Sequence, residues 1–379
     1  MEVLLKNKEW IDGVFEKLDK KLSVTAIKSR QKIPYTTVNG VHDDMSVDQI
    51  SRWTNGFWGG LMWLMYSQTK NEDYKITAKI SEQKLEKALE HLEYLNHDVG
   101  FMFHILHGAD YTLTRCEEAK KVNLLASQIL LGRYEEKGGF IRSWNGKWRG
   151  EDTNGWTIID SMMNLPLLYF ASRESGDDKF KNVAETHADT VMKNHIRLDG
   201  SINHIVVNDP NNFRVMLDCK GGQGYEKGSC WSRGLGWAIY GFIISYIHTG
   251  KKEYLETSIK CANYFIKQTK KAGYLPPCDF CQPISPVVYD STAGAIIACG
   301  LIEIGKALGE EKGAIYLETA ISVLKALEEK CCNFSLEEDS ILQMGTECYG
   351  KGVHIPIIYG DYYFVESILK LKQNEFFPW

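Results

Sequence analysis

Asp160 stands in the run Ile-Ile-Asp-Ser-Met-Met-Asn-Leu-Pro-Leu-Leu, among neighbours too apolar for a solvated helix face. Burying a carboxylate there is costly unless it is paired or its pKa is raised. A raised pKa is what a general acid needs. The pattern predicts a helix from Ile158 to Phe170, and helical spacing puts Trp156, Asp160 and Asn164 on one stripe. That stripe offers a ring for stacking, an acid and an amide. The plainer alternative is a buried aspartate tied to a neighbouring helix.

Asp98 lies in His97-Asp98-Val99-Gly100-Phe101, a setting that suits a helix cap. Brought to the same end as Asp160, it becomes the second carboxylate that glycosidic chemistry usually requires. Trp-Ser-Arg-Gly-Leu-Gly-Trp places Arg233 and Trp237 one turn apart, with Trp231 at the mouth of the helix. An arginine can grip the carboxylate of a sugar acid while an indole covers the ring's C–H face; the same residues also stack in ordinary cores. His204 and Gln223 sit in loop segments, where side chains commonly serve sites.

These residues need a frame that gathers them. Four junctions repeat weakly along the chain, each with a polar or Gly break, a charged first turn and then an aromatic: Tyr74, Phe180, Tyr254 or Tyr316. Gly176 and Gly250 suit left-handed caps on the preceding helices. The helices before the junctions (Phe57 to Tyr66, Ile158 to Phe170, Leu235 to Ile247, Ala293 to Ile304) are apolar on nearly every face and read as inner helices. Those after them, such as Tyr254 to Ile266, are one-sided and read as outer helices.

Apolar stretches over His104 to Leu131, with a break near Arg115, and over Tyr362 to Leu371 bring the inner helices to six. An all-α closed double ring follows, an (α/α)6 barrel of six inner and six outer helices forming one domain over residues 1–379; an open solenoid is the alternative. In a closed ring the starts of all inner helices converge on one end. Thr54, Thr153, Ser232, Asp290 and Asp361 read there as helix starters.

Ten Trp, nineteen Tyr and fifteen Phe exceed what a helical core needs, so some rings should face a ligand. A net charge of -5 with interspersed signs gives no face for nucleic acid and no polybasic membrane patch. Met1 to Leu22 reads as an amphipathic helix, not a signal peptide, and no stretch approaches a membrane span. Ten Cys without framework spacing fit a reducing compartment, and a cytoplasmic location is expected. The lone Cys278-x-x-Cys281 pair lacks partners for a zinc site. Oligomeric state is left open.

Five segments, Trp-Thr-Asn-Gly-Phe-Trp-Gly-Gly, His-Asp-Val-Gly-Phe, Ile-Ile-Asp-Ser-Met-Met-Asn, Trp-Ser-Arg-Gly-Leu-Gly-Trp-Ala and Gly-Asp-Tyr-Tyr-Phe, occur in the order found in the unsaturated glucuronyl hydrolases, glycoside hydrolase family 88. The chain resembles that family from about Trp53 to its C-terminal segment. The resemblance implies an (α/α)6 barrel with Asp160 as proton donor and Asp98 as the second essential acid. It further implies a substrate site of Trp53, Trp144, His204, Gln223, Trp231, Arg233 and Trp237, with Trp148 an alternative to Trp144.

The implied partner is an oligosaccharide ending in a Δ4,5-unsaturated uronic acid, attacked by hydration of its C4=C5 bond with no metal or organic cofactor. Lys351, in Thr346 to Gly352, is either a contact for a sulfate or a solvated loop lysine. Rival readings are an unsaturated rhamnogalacturonyl hydrolase acting on pectin fragments, a sugar epimerase of the same barrel type, and a non-catalytic sugar-binding barrel.

Overall fold

A computed structural model describes residues 2–148, 150–270 and 273–379. The chain begins with α1 (Glu2–Lys6) and α2 (Lys8–Lys28), then alternates buried and half-exposed helices. The first pair is α3 (Phe57–Thr69) and α4 (Glu72–Leu85). A π-helix, Gly100–Gly108, runs into α5 (Ala109–Thr114) and is followed by α6 (Glu117–Leu131). Next come α7 (Leu165–Ser175) with α8 (Asp178–His195), and α9 (Ser232–Thr249) with α10 (Lys252–Thr269). The last are α11 (Ser291–Cys331), broken at Gly309, and α12 (Ile358–Leu371).

Each of the five inner-to-outer turns passes through one residue of positive φ: Lys70, Arg115, Gly176, Gly250 and Gly309. The left-handed residue ends one helix and turns the chain back alongside it. At two of these turns an Asx side chain caps the next helix, Asn71 on the Asp73 N–H and Asp177 on the Lys179 N–H. Short turns therefore close one end of the ring, and the long connections all fall at the other.

The inner helices pack in succession, α3, the Gly100–Thr114 segment, α7, α9, the first half of α11, α12, and back to α3. This is the (α/α)6 barrel expected, with α2 serving as the sixth outer helix. Residues Ser232 to Ser245 of α9 are buried on every face, as a helix enclosed by others must be. The repeated outer aromatics rivet neighbours: the hydroxyl of Tyr74 donates to Asp19, Tyr254 to Asp189 and Tyr316 to Asn263, each on another outer helix. Lys21 of α2 closes the ring by donating to the carbonyls of Asn333, Ser335 and Ser340.

Several expectations are corrected. The helix expected from Ile158 begins only at Leu165; before it come a strand, Trp156–Ile158, and a tight turn, Ile159–Asn164. That strand pairs antiparallel with Ile205–Asn208, which pairs with Met216–Lys220. The β-branched pair Thr157 and Ile158 and the cross-strand partners Ile205 to Val207 suit a sheet better than a helix.

Of the five expected helix starters only Asp290 caps its own helix, accepting from the Thr292 N–H. Asp361 lies within α12 and accepts from the N–H groups of Ile341 and Leu342. Many aromatics fill the barrel axis rather than a ligand site: Phe101, Trp237, Tyr240 and Tyr363 are buried, and Trp379 inserts from the closed end to stack on Tyr363. Helix α11 is long and apolar enough to cross a membrane, but 78% of its apolar window is buried inside the ring.

Candidate active site

At the open end the segments entering the inner helices meet. Asp98 precedes the π-helix and is fixed by its own N–H, which donates to the Asn96 side chain at 2.8 Å. Asp160 lies in the turn after the Trp156–Ile158 strand. Its neighbours hold that turn: the Ile159 N–H donates to the His204 carbonyl, and the Ser161 hydroxyl bonds to the Ile158 carbonyl and to His187.

Asn164 joins the two segments, accepting from the Phe101 N–H at 2.9 Å. Their approach demands Gly100, because a Cβ there would lie 2.6 Å from both the Cα and the Oδ1 of Asn164. The amide expected to serve Asp160 along a helix stripe thus acts instead by locking the Asp98 segment against the Asp160 turn.

His97 completes the centre. Its Nε2 lies 3.4 Å from Oδ1 of Asp98 and 3.7 Å from Oδ1 of Asp160. One ligand atom from each of the three groups falls within 4.8 Å of the others. Asp98 is buried, whereas the Asp160 side chain keeps 19% of its exposure, an opening to a reactant.

Burial pushes the Asp98 carboxyl up to about 7, against the pull of the Arg133 cation and the Asn164 and Asn96 amides. Burial and then the nearby Asp98 charge hold Asp160 well above the carboxylate range, with Arg233 opposing. Burial, with the Arg133 cation and His187, holds the His97 imidazole well below its ordinary value. Both acids are thus biased toward their protonated forms, beside an imidazole biased toward its neutral one.

Rings and polar groups surround this pair. Trp53 stacks on Tyr359 and contacts Phe101, the residue three beyond Asp98. His204 lies against Trp231 with ring centroids 4.2 Å apart, and its Nδ1 accepts from the Gln223 N–H. The Gln223 side-chain amide donates to the Glu347 carbonyl, and the Gln223 backbone carbonyl accepts from the Tyr349 N–H, so this loop is bound to Thr346–Gly352. Trp144, Trp148 and Trp156 form one cluster with centroids 5.5–5.9 Å apart, so the two tryptophans that are alternatives in sequence lie side by side. Ser143, beside Trp144, accepts from the His97 N–H.

Two expected ligand contacts are placed differently. Trp237 is buried one turn inside the barrel against Phe101 and Tyr363. Arg233 is committed to the protein: Nη1 bonds to Asp290 Oδ2 and the Thr346 carbonyl, each at 2.6 Å, and Nη2 to the Glu347 carbonyl. With both Nη1 hydrogens engaged, its end-on fork is closed to a sugar carboxylate in this arrangement. Asp290, read from sequence as a plain cap, is also the counter-ion that fixes Arg233. In sequence His97 is a mere flank of Asp98, and the adjacent His-Asp pair is the signal that points to it.

This geometry has relatives. The chain is 33% identical to the unsaturated glucuronyl hydrolase of Bacillus sp. (strain GL1) over 332 residues, covering 85% of this chain and 86% of that one. The chain belongs to the unsaturated glucuronyl hydrolases. These are glycoside hydrolases acting on unsaturated uronyl sugars, so the present hydrolase is an enzyme of that class.

It is also 31% identical to the unsaturated chondroitin disaccharide hydrolase of Streptococcus pneumoniae, over 99% of this chain and 95% of the relative. The unsaturated glucuronyl hydrolase structure from Streptococcus agalactiae superposes with a TM-score of 0.88 at 28% identity, over 97% of this hydrolase and 93% of that chain. A mutant of that streptococcal enzyme was solved with dGlcA-GalNAc6S, with a TM-score of 0.81 at 26% identity over the same shares. No family model matches the chain.

Proposed function

We propose that this hydrolase releases the non-reducing-end Δ4,5-unsaturated uronic acid from lyase-generated glycosaminoglycan oligosaccharides by adding water across C4=C5. The observation that carries the reading is the pairing of two carboxyl groups, Asp98 and Asp160, around His97 at the barrel mouth, where burial favours their protonated forms. Protonated Asp160 gives its proton to C4; the double bond's electron pair makes the new C–H bond, and positive charge develops at C5 beside the ring oxygen. Water then adds to C5 while Asp160, now a carboxylate, takes its proton. The C5 hemiketal opens, leaving a hemiacetal at C1 that expels the remaining sugar. Asp98 holds sugar hydroxyls and, by its charge, keeps the proton on Asp160.

Trp53, Trp144, Trp231 and Trp237 supply the aromatic lining, and His204 and Gln223 the polar contacts. Arg233 acts by fixing the Thr346–Glu347 backbone beside the sugar. Residues 1–379 act as one catalytic domain, and the ten free thiols fit a cytoplasmic location. Lys351, exposed on the Thr346–Gly352 loop, is the candidate for a sulfate on the leaving sugar.

Unsaturated disaccharides from hyaluronan, chondroitin, heparin and pectin, followed by loss of the double bond's ultraviolet absorbance, test the reading. Consumption of glycosaminoglycan fragments, lost in Asp160→Asn, is expected. Consumption of pectin fragments alone, or an equally active variant, overturns it.

A further inference from the structure

We propose that His97 is a positioning residue for the acid pair, sharing its Nε2–H between Asp98 and Asp160 and so deciding which carboxyl keeps the proton. The inference rests on the reading of that pair as the proton donor to C4. His97 is 1% exposed, and neither ring nitrogen has a hydrogen-bond partner within the protein. One oxygen of each acid, Oδ1 of Asp98 and Oδ1 of Asp160, is likewise unmatched. Four buried, unmatched polar atoms on three adjoining side chains are hard to account for by folding, since buried polar groups are almost always paired. An apolar side chain of the same volume would fill the space without that cost.

The surroundings select the neutral ring. Arg133, which follows α6, faces both His97 and Asp98; His187 of α8 faces His97; and Arg233 of α9 faces Asp160. Asn164 contributes an amide to Asp98 from the turn between. Arg133 is anchored by the carbonyls of Arg142 and Ser143 and by Asn145, so its cation is a fixed part of the site. Beside that cation the imidazole stays neutral, with a single N–H.

Placed on Nε2, that hydrogen points between the two acids. With Asp98 ionised it donates there, and the pair's one proton is left on Asp160, on the side that reaches solvent. When Asp160 passes its proton to C4, the same N–H spans two carboxylates and relieves their repulsion until water returns a proton to Asp160. The imidazole's own proton count does not change through the cycle.

The test compares His97→Gln, whose amide nitrogen occupies the Nε2 position, with His97→Leu and with His97→Asn, whose amide reaches only the Nδ1 position. Thermal melts establish that each variant is folded, and steady-state rates are taken on an unsaturated disaccharide that wild type consumes. The leucine and asparagine variants should lose roughly 10–100-fold in kcat with KM little changed, the scale of a mispositioned catalytic group. Their alkaline limb of kcat/KM should move to higher pH, because a doubly ionised pair without the N–H is less stable. Glutamine should restore most of kcat and the original limb.

A glutamine variant as impaired as the leucine and asparagine variants, or a limb that stays put in all three, overturns the role. Should leucine fail to fold, glutamine against asparagine decides. Wild type that consumes no unsaturated disaccharide would sink the proposed reaction itself, a separate outcome.

Discussion

Arg233 and Asp290 are both sealed from solvent, and their 2.6 Å contact sits among carbonyls of the Thr346–Glu347 segment. Such a pair adds little stability over an apolar pair, but removing one partner strands a buried charge. Asp290→Ala should therefore cost about 3–5 kcal/mol, read as a lower urea midpoint at unchanged m-value. A loss below about 1 kcal/mol would mean that the pair is effectively solvated.

Sequence alone singled out Asp160, because an acid among Ile, Met and Leu must be either a tied buried aspartate or a working acid. It read Arg233 as a ligand clamp because Asp290, its partner 57 residues on, looked like an ordinary cap. Asp98 became a candidate through family resemblance, since His-Asp-Val-Gly is locally indistinguishable from a helix start. The unmatched nitrogens that mark His97 exist only in three dimensions.

Among elements, the π-helix Gly100–Gly108 and the turn Ile159–Asn164 deserve comparison with the regular helices around them. Asp98 lies just before the first and Asp160 within the second, and π-helical segments are frequent at functional sites. The two are held in contact by Gly100, whose missing side chain lets Asn164 approach. Gly100→Ala must push the segments apart: a stability loss of roughly 1–3 kcal/mol and a kcat loss on the order of 100-fold are expected. Melts and disaccharide kinetics check both, and a normal kcat would show that the junction does not set the spacing of the acids.

The regular helices were legible from periodicity, and Gly176 and Gly250 were legible as left-handed caps. Lys70 and Arg115 make the same turn without glycine, which is why their junctions look weaker in sequence. The strand Trp156–Ile158 was missed because its partner, Ile205–Asn208, is some fifty residues away and an apolar run does not reveal its own period.

For the whole molecule, closure of the ring was legible from six apolar segments, but the destination of the aromatics was not. Pattern cannot tell an axis-filling ring from a ligand-facing one. Closure also buries titratable groups. Burial lowers eight histidines, His42, His97, His104, His107, His187, His195, His204 and His248, in the folded state. It raises five acids, Glu82 to about 8, Asp98 and Asp361 to about 7, and Asp160 and Glu366.

Below about 6.5 the unfolded histidines bind protons that the folded ones refuse, so stability falls as pH drops. The raised acids work oppositely: their contribution is complete below about 4 and is lost as pH rises through their raised folded values, about 7 to 8 for Glu82, Asp98 and Asp361. Eight groups outweigh five on the acid side, so the melting temperature should peak at about pH 6–7. Stability rising steadily from neutral pH to pH 5 would contradict this balance.

The central claim is that Asp160 protonates C4 while the sugar is still attached. Proton NMR of an unsaturated disaccharide turning over in D2O tests it most directly. The account predicts deuterium on a single face of C4, appearing at the rate of sugar release, with both processes slowed by about 100–10,000-fold in Asp160→Asn. Release of a uronate whose C4=C5 bond is still intact, or deuterium on both faces of C4, would contradict it.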